Sequence, residues 1–270
     1  MVALRPALPL RVIFMQEWRS VMILWGAPFQ TVHLITLAIA AALIVGVYFL
    51  LKYLPERARY YTILVLSFSG IVAIIYNLAA WGSPLEYLPF HMCSILALML
   101  PVAVITKNKY VGNLLLVWCL GSILALIFSD AQAGYEIPSA AFFIYYIPHV
   151  FEFAVTVYLF VFGYIKKDYK CIPVTVGLTV AIYTVVHLIN LALNHYCAVN
   201  NIVDWAGEVL TFNYMFSMEP TTSIFFLFWN IIPHPYWYMY CAVVVLVVYL
   251  VVLYLPQIIR AVKEKKAGKN

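Results

Sequence analysis

The sequence predicts an all-α membrane protein of seven transmembrane helices, and three observations carry that prediction. Hydrophobic residues make up 66% of the chain and charged residues only 10%, against about a quarter charged in a soluble domain. So little polar surface cannot cover a globule in water, so lipid is the solvent for most of the chain. Seven apolar stretches are each long enough to cross roughly 30 Å of hydrocarbon at about 1.5 Å per residue. None alternates polar with apolar residues as a barrel strand must, and a lipid-exposed span has to satisfy its own backbone hydrogen bonds.

Residues 1–30 precede the first span. Arg11, Gln16, Glu17 and Arg19 are interleaved there with Val12, Ile13, Phe14, Trp18 and Trp25, which predicts a helix lying in the membrane interface. Pro6, Pro9 and Pro28 break the first apolar run and no small-residue cleavage site follows it, so no cleaved signal peptide is expected. The spans are expected at 31–51, 62–80, 88–105, 111–128, 141–165, 172–193 and 237–255, within a membrane domain of residues 31–256. Pro89 falls in a first turn, where a missing N–H is harmless. Pro101 and Pro148 fall inside helices and predict kinks. Residues 257–270 form a basic tail.

Basic residues set the orientation. Lys52, Arg57 and Arg59 lie in the first loop, Lys107 and Lys109 in the third, and Lys166, Lys167 and Lys170 in the fifth; Arg260, Lys263, Lys265, Lys266 and Lys269 lie in the tail. The second, fourth and sixth loops have no Lys or Arg. The positive-inside rule then places the tail in the cytoplasm and the N-terminus outside. The net charge of +5 belongs to that pattern, and no nucleic-acid partner is expected. The sixth loop, 194–236, is too long for a turn and too apolar to be solvated. Its run Ile224-Phe225-Phe226-Leu227-Phe228-Trp229 is too short to cross a bilayer, and the whole loop is expected to cap the outer ends of the helices.

The polar residues inside the spans concentrate near one end. Asn77, His91, Cys93, His149, Glu152, Thr184, His187, Asn190 and Asn194 all fall in outer halves, whereas the inner halves have little beyond Asn113. Ionisable groups at membrane depth face a bundle interior and mark functional sites, so a shared outer-leaflet pocket is expected. His149 and Glu152 are three residues apart and share a helix face, so the carboxylate can hold the imidazole in one tautomer. Thr184, His187, Asn190 and Asn194 form one stripe. His91 and Cys93 are two apart and do not face each other on a regular helix. A nucleophilic Cys93 then takes its base from His149 or His187, or from His91 if the first turn is irregular. The bland alternatives are that Cys93 packs as a small residue or forms a disulfide with Cys197, and that the stripe is interhelical glue. Five cysteines without a C-x-x-C pair, and no H-x-x-x-H spacing, place a metal site below the thiol reading.

Two blocks carry a resemblance. Leu88-Pro89-Phe90-His91-Met92-Cys93 resembles the Leu-Pro-x-His-x-Cys signature of the YwaF-like integral membrane proteins, which are related to transmembrane protein 164. Asn213-Tyr214-Met215-Phe216, Glu219-Pro220 and Pro235-Tyr236-Trp237-Tyr238 resemble the family's second pattern. Met218-Glu219-Pro220 lacks the usual basic residue before the proline, and His234-Pro235-Tyr236-Trp237 is one residue longer. The resemblance implies a seven-helix fold, a bacterial cell membrane as the location, and movement of fatty-acyl chains between phospholipids through a cysteine, here Cys93. Together with the residue reading it implies a phospholipid acyltransferase or acyl hydrolase that needs no cofactor. Cys93, His149, Glu152 and His187 would be catalytic, and His91, Asn77, Asn190, Asn194, Asn213 and Tyr214 would bind a phospholipid or lysophospholipid. The alternative is a non-enzymatic lipid or small-molecule carrier or sensor that uses the same pocket.

Overall fold

The computed structural model describes residues 23–80, 84–129, 132–204 and 206–267. Helix α1 (Thr31–Tyr53) runs until Leu54, which is extended (ψ 145°) as the residue before a proline prefers. Helices α2 (Glu56–Ser67) and α3 (Ser69–Ala80) follow and form one apolar segment long enough to cross a membrane. Helix α4 (Met92–Thr106) starts later than expected. His91 is extended ahead of it (ψ 151°), so Pro89 lies before the helix rather than in its first turn. Lys107 ends α4 in the left-handed region (φ 51°).

Helix α5 (Lys109–Ile127) is capped by Asn108, whose side chain accepts from the N–H groups of Tyr110 and Val111 at 2.9 and 3.3 Å. Helix α6 (Ala140–Val161) is capped by Ser139, which accepts from the Phe142 N–H at 3.1 Å. These oxygens satisfy donors that a helix start leaves free. Helix α7 (Ile172–Asn200) outlasts its expected end at 193, so Asn194 and Cys197 lie in the helix and not in the loop. Asn201, in the left-handed region, stops it. Helices α8 (Ser223–Ile231) and α9 (Tyr240–Ala267) complete the chain.

Six segments are long and apolar enough to cross a membrane: α1, α2 with α3, α5, α6, α7 and α9; α4 is a shorter apolar helix of 15 residues. The bundle is centred on α5 and α6, the most deeply buried of these segments, whereas α9 is the least buried. Leu100, Leu114, Trp118, Val155 and Tyr158 form the middle of the core. The outer faces of α1 and α9 keep Leu34, Ile35, Val244 and Val248 exposed, as helices bathed in lipid do. Polar side chains pin the frame. Trp118 Nε1 donates to Thr179 Oγ1 at 3.0 Å, joining α5 to α7. Tyr254 donates to Asn113 Oδ1, joining α9 to α5.

The expected interfacial helix falls mostly on residues 1–22, outside the described residues. The described part behaves differently: β1 (Ile23–Leu24) pairs antiparallel with β2 (Glu136–Ile137). Trp25 is wholly buried beyond it and donates to Thr36 at 2.7 Å. His33, also buried, accepts from the Phe29 N–H at 3.1 Å through Nδ1, so its Nε2 donates to the Leu126 carbonyl at 2.8 Å. The connection between α7 and α9 packs against the loop before α4, where Tyr214 donates to the Leu85 carbonyl at 2.8 Å.

Candidate functional site

One polar group lies between α3, α4, α5 and α6. Glu152 is buried on α6, and the Ser122 hydroxyl of α5 donates to its Oε2 at 2.7 Å. Helix α3 approaches closely because Gly70 has no side chain. A Cβ there would stand 2.4 Å from the Ala97 Cβ and 2.9 Å from Glu152 Oε1. Ala97 is one helical turn beyond Cys93 on α4, so the two share the helix face that meets Gly70 and Glu152. Cys93 and Ser94 stand in the first turn of α4, where the backbone N–H groups have no intrahelical acceptor.

His149 joins this group through Tyr145. The two rings lie 4.3 Å apart, and His149 Nδ1 is 2.6 Å from the Tyr145 carbonyl. A carbonyl only accepts, so Nδ1 carries the proton and Nε2 presents a lone pair. Glu152 binds Ser122 and forms no hydrogen bond with His149. The imidazole therefore takes its tautomer from its own helix backbone.

A second polar group joins α7 to the segment before α8. Asn190 donates to the Tyr214 carbonyl and to Ser217 Oγ, both at 2.8 Å, and accepts from the Tyr214 N–H at 3.1 Å. Asn194 binds the N–H and carbonyl of Phe212 at 2.5 and 3.0 Å. His187 Nδ1 is 3.0 Å from Ser217 Oγ, and its ring lies 4.9 Å from that of Tyr236. Thr184 and Tyr236 share a hydroxyl bond at 2.8 Å. Asn213 turns into its own loop, donating to the Glu219 carbonyl at 2.8 Å and accepting from the Met218 N–H at 2.9 Å.

The start of α4 lies between the two groups. His91 touches the second, 5.3 Å from the Tyr214 ring and 5.5 Å from Phe216, while Cys93 faces the first. Cys93 thus lies on the face of α4 that meets Glu152, and His149 stands three residues before Glu152 on α6. The structure places His187, Asn190, Asn194, Asn213 and Tyr214 in a separate cap network, and Asn77, half-buried on α3, takes no part in the hydrogen bonds of either. Cys93 and Cys197 are both free thiols, so no disulfide joins them. Among the described residues no cluster of His, Cys, Asp and Glu has the makings of a metal site. The sequence does not single out Ser122 and Tyr145, because a lone serine or tyrosine in an apolar run is equally at home as a packing residue.

A bundle of apolar helices around buried polar groups defines an integral, multi-pass membrane protein. Its family follows from comparison with known sequences. The chain belongs to the TMEM164 family, whose model matches residues 28–254 and so spans every helix of the bundle up to Tyr254. No curated protein and no solved structure matches the chain.

Proposed function

We propose that this protein is a membrane-embedded phospholipid acyltransferase or acyl hydrolase with Cys93 as its nucleophile. The supporting observation is the buried Glu152–Ser122 pair against the face of α4 that carries Cys93, with a histidine one turn away on α6 whose Nε2 lone pair is left open. Nε2 of His149 takes the thiol proton as the sulfur bonds to the ester carbonyl carbon of a phospholipid. The backbone N–H groups at the start of α4 stabilise the oxyanion. The carbon–oxygen bond to the glycerol breaks, Nε2 returns the proton to that oxygen, and a lysophospholipid leaves behind a Cys93 thioester. The hydroxyl of a second lysophospholipid, or water, then attacks the thioester. Its proton returns to the sulfur through His149, and a new ester or a free fatty acid is released.

In this reading Glu152 acts through its charge, which favours the imidazolium formed during each step, while the Tyr145 carbonyl orients the ring. His91 and Tyr214 form the entrance from the cap. Asn190, Asn194 and Asn213 shape that cap, His187 closes it over Tyr236, and Asn77 supplies an amide to the headgroup. The reading counts α4 as a seventh span, with the N-terminus outside and the basic tail in the cytoplasm, so the site opens to the outer leaflet. The alternation of loops with and without Lys or Arg supports that orientation.

The test is acyl transfer from a phospholipid to a lysophospholipid by the protein in liposomes. Cys93→Ser and His149→Ala should each lower the rate by at least about 100-fold, and a hydroxylamine-sensitive acyl adduct should form on Cys93. His187→Ala should keep most of the rate. Undiminished transfer in the first two variants would overturn the mechanism, and lipid binding with neither transfer nor adduct would establish a carrier.

A further inference from the structure

The end of the bundle away from the cap holds an open hollow of about 670 Å³ lined by Glu56, Arg59, Lys107, Phe162, Gly163 and Tyr164. Its size suits a small ligand or a lipid headgroup. A smaller hollow of about 380 Å³ adjoins it, sharing Glu56, Lys107 and Tyr164 and adding Arg57. Three cations and one carboxylate thus line the joint space.

The lining is held in place. Arg59 donates through Nε to the Leu51 carbonyl at 2.8 Å and through Nη2 to the Leu54 carbonyl at 3.1 Å, and its guanidinium lies 4.7 Å from the centre of the Phe162 ring. It therefore ties the end of α1 to the turn after α6. Lys107, at the left-handed end of α4, places Nζ 5.2 Å from the Tyr60 ring and 5.3 Å from the Tyr164 ring. No carboxylate pairs with it: among the described residues the one salt bridge is Lys109–Asp168. Tyr164 lines both hollows, and its hydroxyl is a buried oxygen with no hydrogen-bond partner. Such a group is costly unless something binds it.

We propose that this hollow binds the phosphate of an anionic lipid headgroup, with the Lys107 ammonium and the Tyr164 hydroxyl as its donors. Arg59 and Arg57 supply the surrounding positive potential, and Tyr60 walls the site. A basic hollow between membrane helices, at the end carrying the basic loops, is where an anionic headgroup finds both counter-charge and an anchorage for its chains. Glu56 faces the same space and opposes the anion, so it limits affinity. The site stands apart from Cys93 and does not depend on the acyl-transfer reading.

The experiment is native mass spectrometry of the full chain in neutral detergent, titrated with phosphatidylglycerol, phosphatidylcholine and, separately, inorganic phosphate. Phosphatidylglycerol should bind about tenfold better than phosphatidylcholine. Lys107→Gln and Tyr164→Phe should each weaken it about tenfold, the loss expected for one hydrogen bond to a charged group. Tyr164→Phe removes a hydroxyl that has no partner within the protein, so folding is unaffected and the comparison stays clean. Glu56→Gln should tighten binding. Displacement of the lipid by inorganic phosphate would assign the site to the phosphate alone; resistance to displacement would assign it to the whole lipid. Equal retention of both lipids, unchanged binding in Lys107→Gln and Tyr164→Phe, or weaker binding in Glu56→Gln would overturn the proposal.

Discussion

Ser122 and Glu152 form a buried hydrogen bond of 2.7 Å that joins α5 to α6. It supplies the Glu152 carboxyl with its partner, while His149, one turn earlier on α6, binds its own backbone instead. Ser122→Ala leaves the carboxyl without that donor and should cost about 1–3 kcal/mol, read as a lower unfolding temperature in detergent. Glu152→Gln keeps the volume and an acceptor for Ser122, so its stability should stay near that of the parent while the transfer rate falls. Equal loss of stability in both variants would show that charge, not the hydrogen bond, holds the pair.

Gly70 sets how closely α3 approaches α4 and Glu152. Gly70→Ala drives a methyl to 2.4 Å from the Ala97 Cβ, a contact that backbone movement must relieve. Overpacking of this kind costs about 1–3 kcal/mol. Ala97→Gly in the same chain removes the carbon it strikes and should recover part of the loss. Thermal unfolding of the single and double variants checks this, and strict additivity would sink it.

Asn190 holds the cap with three hydrogen bonds to Tyr214 and Ser217, whereas Asn194 holds it with two to Phe212. Asn190→Ala should speed proteolytic cutting within 201–239 by about tenfold or more, since each buried group left without a partner costs about 1–3 kcal/mol. Asn194→Ala should have the smaller effect. Cutting no faster than in the parent would mean that apolar contacts alone seat the cap.

At the basic end, Lys109 and Asp168 form an exposed ion pair of 2.9 Å. Lys109 holds the Asp168 carboxyl below the usual carboxylate range, and Asp168 raises the Lys109 ammonium above its own. A lowered acid pKa contributes stability above the unfolded value, about 3.9, and loses it as pH falls through the folded value. A raised lysine pKa contributes below its unfolded value, about 10.4, and loses it as pH rises through the folded one. The pair's contribution should therefore be constant from about pH 5 to 9, fall away on both sides, and shrink in 1 M salt. Unfolding temperatures of the parent and Asp168→Asn across that range test this. A difference between them that changes between pH 5 and 9 would contradict it.

Much of the bundle was legible in the residues, and the departures have local causes. Apolar runs located α1, α5 and α6 closely, whereas α9 runs on past the expected end at 255 to Ala267 and takes most of the expected basic tail into the helix, because Lys and Arg are good helix formers. Helix α7 was placed too short because the apolar run stops at Leu193, although nothing in Asn194-His195-Tyr196-Cys197 breaks a helix. Helix α4 was placed too early because Leu88 and Phe90 are apolar, yet they pack with the cap cluster around Tyr214. Polarity by depth marked out Glu152, which the structure shows buried against Ser122. It also marked His187 and Asn190, which instead hold the cap, because depth says nothing about which way a helix faces.

That limit separates what the chain alone determined from what tertiary structure decided. Composition and run length determined a membrane protein of apolar helices, and the Lys and Arg positions determined which loops form its basic end. The Leu88–Cys93 block marked the family. Only the folded bundle decided that Glu152 pairs with Ser122, that Tyr145 fixes His149, and that the polar residues divide into two groups on either side of the start of α4. In water a helix reveals its buried face by its apolar stripe, but in lipid the outward face is as apolar as the inward one. The rotation of each span, and with it every partner of its polar side chains, is set by contacts between helices far apart in sequence.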